Sequence, residues 1–154
     1  MRFFALILLF VSSSVLADIR PFTVGSMAAI AGERSGRPFI LSFWSATCTH
    51  CPAELEALGA FRKRFPKLEV VLVATDSPAE SALLSDMVRG YGLGDVAQWV
   101  FADPQAERLR FEIDRNWYGE LPRTYFFDRQ HQVESVSGVV PQEKLVNWAK
   151  VNRH

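Results

Sequence analysis

The chain contains two cysteines, Cys48 and Cys51, and only Thr49 and His50 separate them. This spacing brings two sulfur atoms close enough to close a disulfide in the first turn of a helix. Cys48 lies outside that turn, where unpaired N–H groups and the positive end of the helix dipole stabilise a thiolate. Because the thiolate is the nucleophile of thiol chemistry, Cys48 is predicted to attack another molecule. Cys51, further into the helix, is predicted to resolve the resulting mixed disulfide.

His50 is a second candidate for the chemistry of this site, because its imidazole lies next to the reactive sulfur in sequence. A positive charge beside a thiolate favours the reduced form and makes the disulfide more oxidising. The alternative is a solvent-facing turn residue with little influence on the pair.

Other roles for the two cysteines are supported less well. A purely structural disulfide between positions three apart removes little entropy from the unfolded chain. A zinc site requires about four ligands, and the remaining histidines, His131 and His154, match no ligand spacing. A cuprous site made of both thiols and a histidine stays an alternative, because soft ligands select that ion. A catalytically inactive interaction module is a third class, against which the two intact cysteines count.

The sequence on either side of the cysteines predicts a strand, a turn and a helix. An apolar run from Phe39 to Trp44 precedes the pair and predicts a buried strand. The segment after it has apolar residues at helical spacing, and Pro66 ends it. The apolar positions of that predicted helix are Leu55, Leu58, Phe61 and Phe65.

The remaining elements predict an α/β domain. Leu68–Ala74 and Gln98–Phe101 are strand candidates, and Pro122–Asp128 and Gln132–Ser137 are two strands joined by a tight turn. Such a short turn requires an antiparallel pair. Helices are predicted from Ser77-Pro78 to about Gly90, from Asp103-Pro104 to about Ile113, and from Pro141 onwards. The order β-α-β-α-β-α-β-β-α predicts a three-layer α/β/α sandwich whose mixed central sheet ends in an antiparallel hairpin.

The segment Phe43–Leu55, which reads FWSATCTHCPAEL, resembles the active-site segment of the thioredoxin superfamily. It is most similar to the exported branch with TlpA, ResA and CcmG-type proteins. Gly119–Asp128 (GELPRTYFFD) resembles the loop that carries the cis-proline of that superfamily, and Val136-Ser137-Gly138 is a weaker third match. The resemblance covers about residues 39–152 and implies a thioredoxin-like fold.

The resemblance also implies roles for further residues. Leu121–Pro122 is expected to be a cis peptide bond facing the disulfide, with the backbone of Leu121 pairing with the substrate chain. Glu54, one helical turn after Cys51, is expected to take part in proton transfer, although a solvated charge on the helix is the alternative. Trp117 is a candidate for lining the substrate groove.

Three positions depart from the pattern of the superfamily. His50 stands where proline is usual, Thr47 stands where tryptophan commonly precedes the first cysteine, and Ser42 replaces the buried acid of thioredoxin itself. The Ser42 change fits the exported branch. The His50 change leaves the reduction potential, and thus the direction of electron flow, open.

The N-terminus predicts export. Arg2 is followed by the apolar run Phe3–Val11 and by small residues, with Val15 and Ala17 at the −3 and −1 positions of a cleavage site. Residues 1–17 are therefore predicted to be a signal peptide, or else a retained membrane anchor. Residues 18–36 are predicted to be an N-terminal extension and residues 37–154 the thioredoxin-like domain. Export places the cysteines in an oxidising compartment such as the periplasm.

Composition limits the function classes. The 154 residues carry 17 basic and 17 acidic side chains, and this balance provides no electrostatic case for binding nucleic acid. We therefore expect a monomeric, exported thiol–disulfide oxidoreductase, with reduction favoured over oxidation. Its partners would be protein thiols and disulfides, together with a membrane-embedded or soluble redox protein that recharges it. No cofactor or metal is expected besides the redox-active pair, and a copper-binding, metallochaperone-like protein on the same fold is the alternative.

Overall fold

The computed structural model describes residues 18–153 and contains one six-stranded mixed sheet. The strands are β1 (Ile19–Phe22), β2 (Phe39–Trp44), β3 (Glu69–Ala74), β4 (Ala97–Phe101), β5 (Arg123–Phe127) and β6 (Val133–Ser137). Their order across the sheet is β1-β4-β3-β2-β5-β6. Strands β1 to β4 are parallel to one another, whereas β5 and β6 form an antiparallel hairpin against β2.

The helices cover both faces of this sheet. They are α1 (Ser26–Gly32), α2 (Cys51–Arg64), α3 (Ser81–Gly90), α4 (Ala106–Ile113) and α5 (Gln142–Asn152), and a short 3-10 helix, Pro78–Glu80, precedes α3. Apolar residues of α2, α3 and α5 form one core with the sheet, and those of α1 and α4 form the other. The predicted three-layer architecture and the final hairpin are confirmed.

The central strand β2 shows why the sheet is buried on both sides. Ile40 and Trp44 belong to the core under α2 and α5, and Phe39, Leu41 and Phe43 belong to the core under α1 and α4. Side chains alternate between the faces of a strand, so a strand covered by helices on both sides must be apolar throughout. Ser42 is the polar exception in β2, and its side chain is completely buried.

The start of the fourth helix differs from the sequence expectation. Pro104 was expected to begin it, but α4 begins at Ala106. The carboxylate of Asp103 accepts a hydrogen bond of 2.8 Å from the N–H of Gln105, and Gln105 has a non-helical backbone. Asp103 therefore closes a local turn before the helix rather than capping it.

Residues 18–36, predicted as an extension, contribute to the sheet and to a core. Strand β1 pairs with β4 at one edge of the sheet, and Phe22 and Ile30 are buried in the core under α1 and α4. The predicted signal peptide, residues 1–17, lies outside the described residues. Within residues 18–153, no helix combines the length and the apolar character that crossing a membrane requires.

Candidate active site

Cys48 and Cys51 form a disulfide at the point where β2 passes into α2. The sulfur-bearing residues differ in exposure, because Cys51 is completely buried whereas Cys48 is only partly buried. Cys51 is the first residue of α2, and Pro52 follows it in the first turn, where a missing N–H costs nothing. Cys48 is thus the member of the pair with the more accessible sulfur, and its role as the attacking cysteine stays a prediction.

The loop before Cys48 is held by a carboxylate that the sequence analysis did not single out. Asp76, just after β3, accepts hydrogen bonds from the Ser45 hydroxyl at 2.9 Å and from the Ala46 N–H at 3.1 Å. The Ser45 hydroxyl also contacts the Thr47 hydroxyl at 3.1 Å. Asp76 therefore fixes the backbone that leads into Cys48.

His50 is exposed and occupies the N-cap position of α2, but its side chain does not cap the helix. The imidazole is therefore in contact with solvent, which screens charges.

Pro122 lies at the same end of the sheet as the disulfide. The last antiparallel pair between β2 and β5 joins Phe43 and Arg123, so Trp44 and Pro122 follow at this end of their two strands. The peptide bond between Leu121 and Pro122 is cis, and the carbonyl oxygen of Pro122 accepts a hydrogen bond of 2.8 Å from Gly138. Pro122 is buried, while Leu121 is partly exposed.

Glu54 is a buried carboxyl group one turn along α2 from Cys51, with no exposed surface. Its two oxygens accept hydrogen bonds of 2.8 Å each, one from the Thr124 hydroxyl and one from the Val140 N–H. Burial raises the pKa of Glu54, and these two hydrogen bonds, which favour the ionised form, offset only part of that rise. A carboxyl group in this setting can hold or release a proton one helical turn from the buried cysteine. The solvated-charge alternative for Glu54 is therefore wrong.

The network around Glu54 continues into the sheet. The Thr124 hydroxyl lies 2.9 Å from the Ser42 hydroxyl, and both side chains are completely buried. Thr124 was missed by the sequence analysis. The available signal was a small polar residue, Thr124, within a strand whose side chains are mostly buried, because buried polar side chains need a partner.

Trp117, predicted to line the groove, is only 4% exposed. Its ring packs against Phe43 at 4.9 Å between centroids, and its indole N–H donates to the Glu120 carbonyl at 2.9 Å. It therefore supports the loop before Pro122 from within the core and presents little surface to a substrate. The neighbouring Tyr118 is the aromatic residue that points outward, with 90% of its surface exposed.

The copper-binding alternative requires a third ligand near the two thiols. Across residues 18–153, no three His, Cys, Asp or Glu side chains lie close enough together to hold a metal ion. The geometry of this part of the chain thus does not favour that alternative.

A disulfide at the start of a helix, a cis-proline loop at the same end of a mixed sheet and helices on both faces define a thiol–disulfide oxidoreductase of the thioredoxin fold. Comparison by sequence agrees with this class. The model of the AhpC/TSA family matches residues 26–142, which is most of the chain, and the protein belongs to that family. A search of the curated proteins found no match.

Solved structures share the fold at low sequence identity. A secreted disulfide oxidoreductase of Mycobacterium tuberculosis, homologous to E. coli DsbE, is 19% identical with a TM-score of 0.61, over 78% of this chain and 85% of the other. A thiol:disulfide interchange protein of Chlorobium tepidum is 14% identical with a TM-score of 0.64, over 80% and 85%. StoA from Bacillus subtilis is 18% identical with a TM-score of 0.54, over 75% and 84%. At sequence identities this low, these comparisons show a shared fold only.

Proposed function

We propose that the protein is an exported thiol–disulfide oxidoreductase that reduces disulfides in other proteins. The observation that carries this proposal is the unequal exposure of the pair, with Cys48 accessible and Cys51 buried at the start of α2. One reachable sulfur and one protected sulfur are what a two-step exchange requires.

In the first step, the Cys48 thiolate attacks one sulfur of a substrate disulfide. A bond forms between Cys48 and that sulfur, and the other substrate sulfur leaves as a thiolate that takes up a proton. The mixed disulfide then links the two proteins. Leu121 and Pro122 are expected to hold the substrate chain beside it, with the free backbone of Leu121 pairing as in a short strand addition.

In the second step, Cys51 loses its proton and attacks the sulfur of Cys48. The Cys48–Cys51 disulfide forms, and the substrate leaves with both of its sulfurs reduced, so two electrons have passed to it. Glu54 is the group expected to accept the proton from Cys51, because its carboxyl group is buried one turn away. A thiol-containing redox partner must then reduce the pair again.

Two features support the reductive direction. A disulfide becomes a strong oxidant when its reduced form is stabilised. The start of α2 favours the thiolate of Cys48, but the side chains around the pair add little to that stabilisation. The imidazole of His50 is exposed to solvent, and Glu54, a buried ionisable group one helical turn from Cys51, is acidic. Burial of Cys51 likewise disfavours its thiolate. The measurement that decides the direction is the reduction potential, and a value close to that of a strong oxidant would contradict it.

Export is supported by the apolar run Phe3–Val11 and by the small residues before Asp18. The protein recovered from the exported fraction is expected to begin at Asp18. Recovery of the full chain from the cytosolic fraction would contradict export, and recovery of the full chain from the membrane fraction would indicate the retained anchor.

The roles of the two cysteines are tested by trapping. The Cys51→Ser variant retains the nucleophile and cannot resolve, so it is expected to accumulate mixed disulfides with other proteins. The Cys48→Ser variant has the buried thiol alone and is expected to trap little. Equal trapping by the two variants would overturn the assignment.

A further inference from the structure

Arg123 follows the cis-proline directly, and its side chain is only 12% exposed. Its guanidinium group reaches two separate segments, the end of α4 and strand β6. It donates to the carboxylate of Asp114, after α4, at 2.8 Å, and to the hydroxyl of Ser135 on β6 at 2.9 Å. It also donates to the hydroxyl of Ser137 on β6. One side chain thus joins the end of α4 to the final hairpin.

The same guanidinium also reaches the other end of the loop that precedes Pro122. Its charge lies 3.6 Å from the carboxylate of Glu120, and the Ser137 hydroxyl, which accepts from Arg123, donates to that carboxylate at 2.7 Å. The loop of residues 114–122 is therefore attached to Arg123 near its beginning, through Asp114, and near its end, through Glu120.

Contacts within the loop complete this arrangement. The Asp114 carboxylate accepts from the N–H of Asn116 at 2.9 Å, and the Glu120 carboxylate accepts from the N–H of Tyr118 at 3.2 Å. Both carboxylates that pair with Arg123 therefore also bind the backbone of the loop. Removal of the guanidinium would leave Glu120 with the Ser137 hydroxyl and Asp114 with the Tyr125 hydroxyl, 3.4 Å away, so both carboxylates would hold that backbone less firmly.

The charge of Arg123 is well suited to this position. Burial works against the ionised guanidinium, but hydrogen bonds to the hydroxyl of Tyr125 and to Asp114 outweigh burial and raise the pKa of Arg123. A planar guanidinium distributes its N–H groups among several acceptors at once, which a lysine ammonium on a flexible stem does not reproduce.

We propose that Arg123 is a positioning residue of the substrate groove, which holds the loop of residues 114–122 so that the backbone of Leu121 is presented to an extended polypeptide. This inference rests on the proposed function. A loop that is ordered before binding loses less conformational freedom when the substrate chain pairs with it. A small disulfide without a polypeptide backbone has no use for Leu121, so its reaction should not depend on Arg123.

The test uses the Arg123→Gln variant of the protein from Asp18 onwards, together with Arg62→Gln as a matched control. Arg62 is 21% exposed and binds Asp95 at 2.8 Å and the Pro66 carbonyl at 3.1 Å. It lies 11 residues along α2 from Cys51, which corresponds to about 16 Å. Both variants therefore lose a largely buried arginine with several hydrogen bonds, but only Arg123 lies beside the groove.

Steady-state reduction of insulin, as a protein disulfide, is compared with reduction of hydroxyethyl disulfide, with dithiothreitol as the electron source in both. For Arg123→Gln, the KM for insulin is expected to rise on the order of tenfold. Its kcat and its rate with hydroxyethyl disulfide should stay at the level of the unmodified protein. Hydrogen exchange of the amides of residues 115–121 should become faster in Arg123→Gln and stay unchanged in Arg62→Gln.

Each contrary result has its own meaning. If insulin reduction is intact in the unmodified protein and its KM is unchanged in Arg123→Gln, the role of Arg123 is overturned and the proposed function stands. An equal loss with both substrates, or equal effects of the two arginine variants, would show a merely structural role and would also overturn it. If the unmodified protein reduces hydroxyethyl disulfide but not insulin, the proposed function fails, and the inference fails with it.

Discussion

The hydroxyl of Thr124 donates a hydrogen bond of 2.8 Å to the carboxylate of Glu54 in the space between β5 and α2, where both side chains are completely buried. Because the Thr124 proton is used in that bond, the Ser42 hydroxyl, 2.9 Å away, must donate to Thr124. The three side chains thus form a directed chain of hydrogen bonds that ends at a buried carboxylate one helical turn from Cys51.

Replacement of Glu54 by Gln is expected to change how stability depends on pH. Burial raises the pKa of Glu54 above the ordinary value of 4.5, so the folded protein keeps this proton to higher pH than the unfolded chain does. The free energy of unfolding therefore falls as pH rises from about 4.5 through the folded pKa. Below that window this contribution is fully present, and above it the contribution is lost.

Glutamine cannot ionise, so the Glu54→Gln variant should lack this fall in the free energy of unfolding with rising pH. Denaturant unfolding of both proteins between about pH 4 and pH 8 measures it, and the slopes should differ by up to about 1.4 kcal/mol per pH unit inside the window. Parallel profiles would show that Glu54 has the same pKa in both states.

Replacement of Thr124 by Val keeps the shape of the side chain and removes its hydroxyl. The Glu54 carboxylate then loses a donor and Ser42 loses an acceptor, which should cost about 1–3 kcal/mol in the free energy of unfolding. The pKa of Glu54 should rise further, because a bond that favours its ionised form is gone.

The matched control is Thr124→Ser, which retains the hydroxyl and loses one methyl group. It should keep the pH profile of the original protein despite a modest loss of packing. Equal pH profiles for the Val and Ser variants would argue against a role of this hydroxyl in the protonation of Glu54.

Replacement of Asp76 by Ala should loosen the loop that leads to Cys48. The Ser45 hydroxyl and the Ala46 N–H lose their acceptor, at a cost of about 1–2 kcal/mol in stability. The rate of alkylation of Cys48 in the reduced protein and the reduction potential are both expected to change, because the position and surroundings of the sulfur change.

Asp103→Ala is the control for this prediction. Asp103 also binds a backbone N–H, that of Gln105 at 2.8 Å, but it has no hydrogen bond to the loop before Cys48. If Asp103→Ala and Asp76→Ala altered the reactivity of Cys48 alike, the effect would come from general destabilisation.

Replacement of His50 by Gln should make the protein slightly more reducing, because glutamine cannot carry the positive charge that an imidazole can place beside the thiolate. The imidazole is exposed, so the shift should be roughly 20 mV or less. It should also shrink as salt is added.

His131→Gln serves as the control, since the imidazole of His131 binds the Arg34 carbonyl at 3.0 Å and packs on Phe39. Its replacement should leave the potential unchanged. A large and salt-independent shift in His50→Gln would mean that His50 contacts the thiolate directly.

Most of the fold could be predicted from local patterns. The apolar runs of β2 and β3 and the apolar spacing of α2 are period signals that hold within short windows. The strand β1 could not be predicted in this way, because Ile19–Phe22 contains Arg20 and Pro21 and lies at the sheet edge, where only one neighbour constrains it. Its strand conformation depends on pairing with β4, which is nearly 80 residues away in the chain.

In the candidate site, too, local features could be predicted from the sequence, whereas long-range contacts could not. Cys48 and Cys51 were identifiable because their spacing and the adjacent helix are local. Trp117 could not be assigned, because an aromatic residue in a loop can face the core or the solvent, and only the packing against Phe43 decided between them. Arg123 and Asp114 are nine residues apart, and nothing in the intervening sequence indicates that their side chains meet.

The sequence by itself determined the chemistry of this protein: two thiols at the start of a helix, in an α/β domain with a predicted export signal. Tertiary structure alone decided the pKa of Glu54 and the positions of the side chains around the two thiols. Glu54 is buried because β5 and the segment at Val140 close over it, and its pKa rises for that reason. Desolvation and hydrogen bonding depend on every group within a few ångströms in space, and those groups come from parts of the chain about 70 to 90 residues apart.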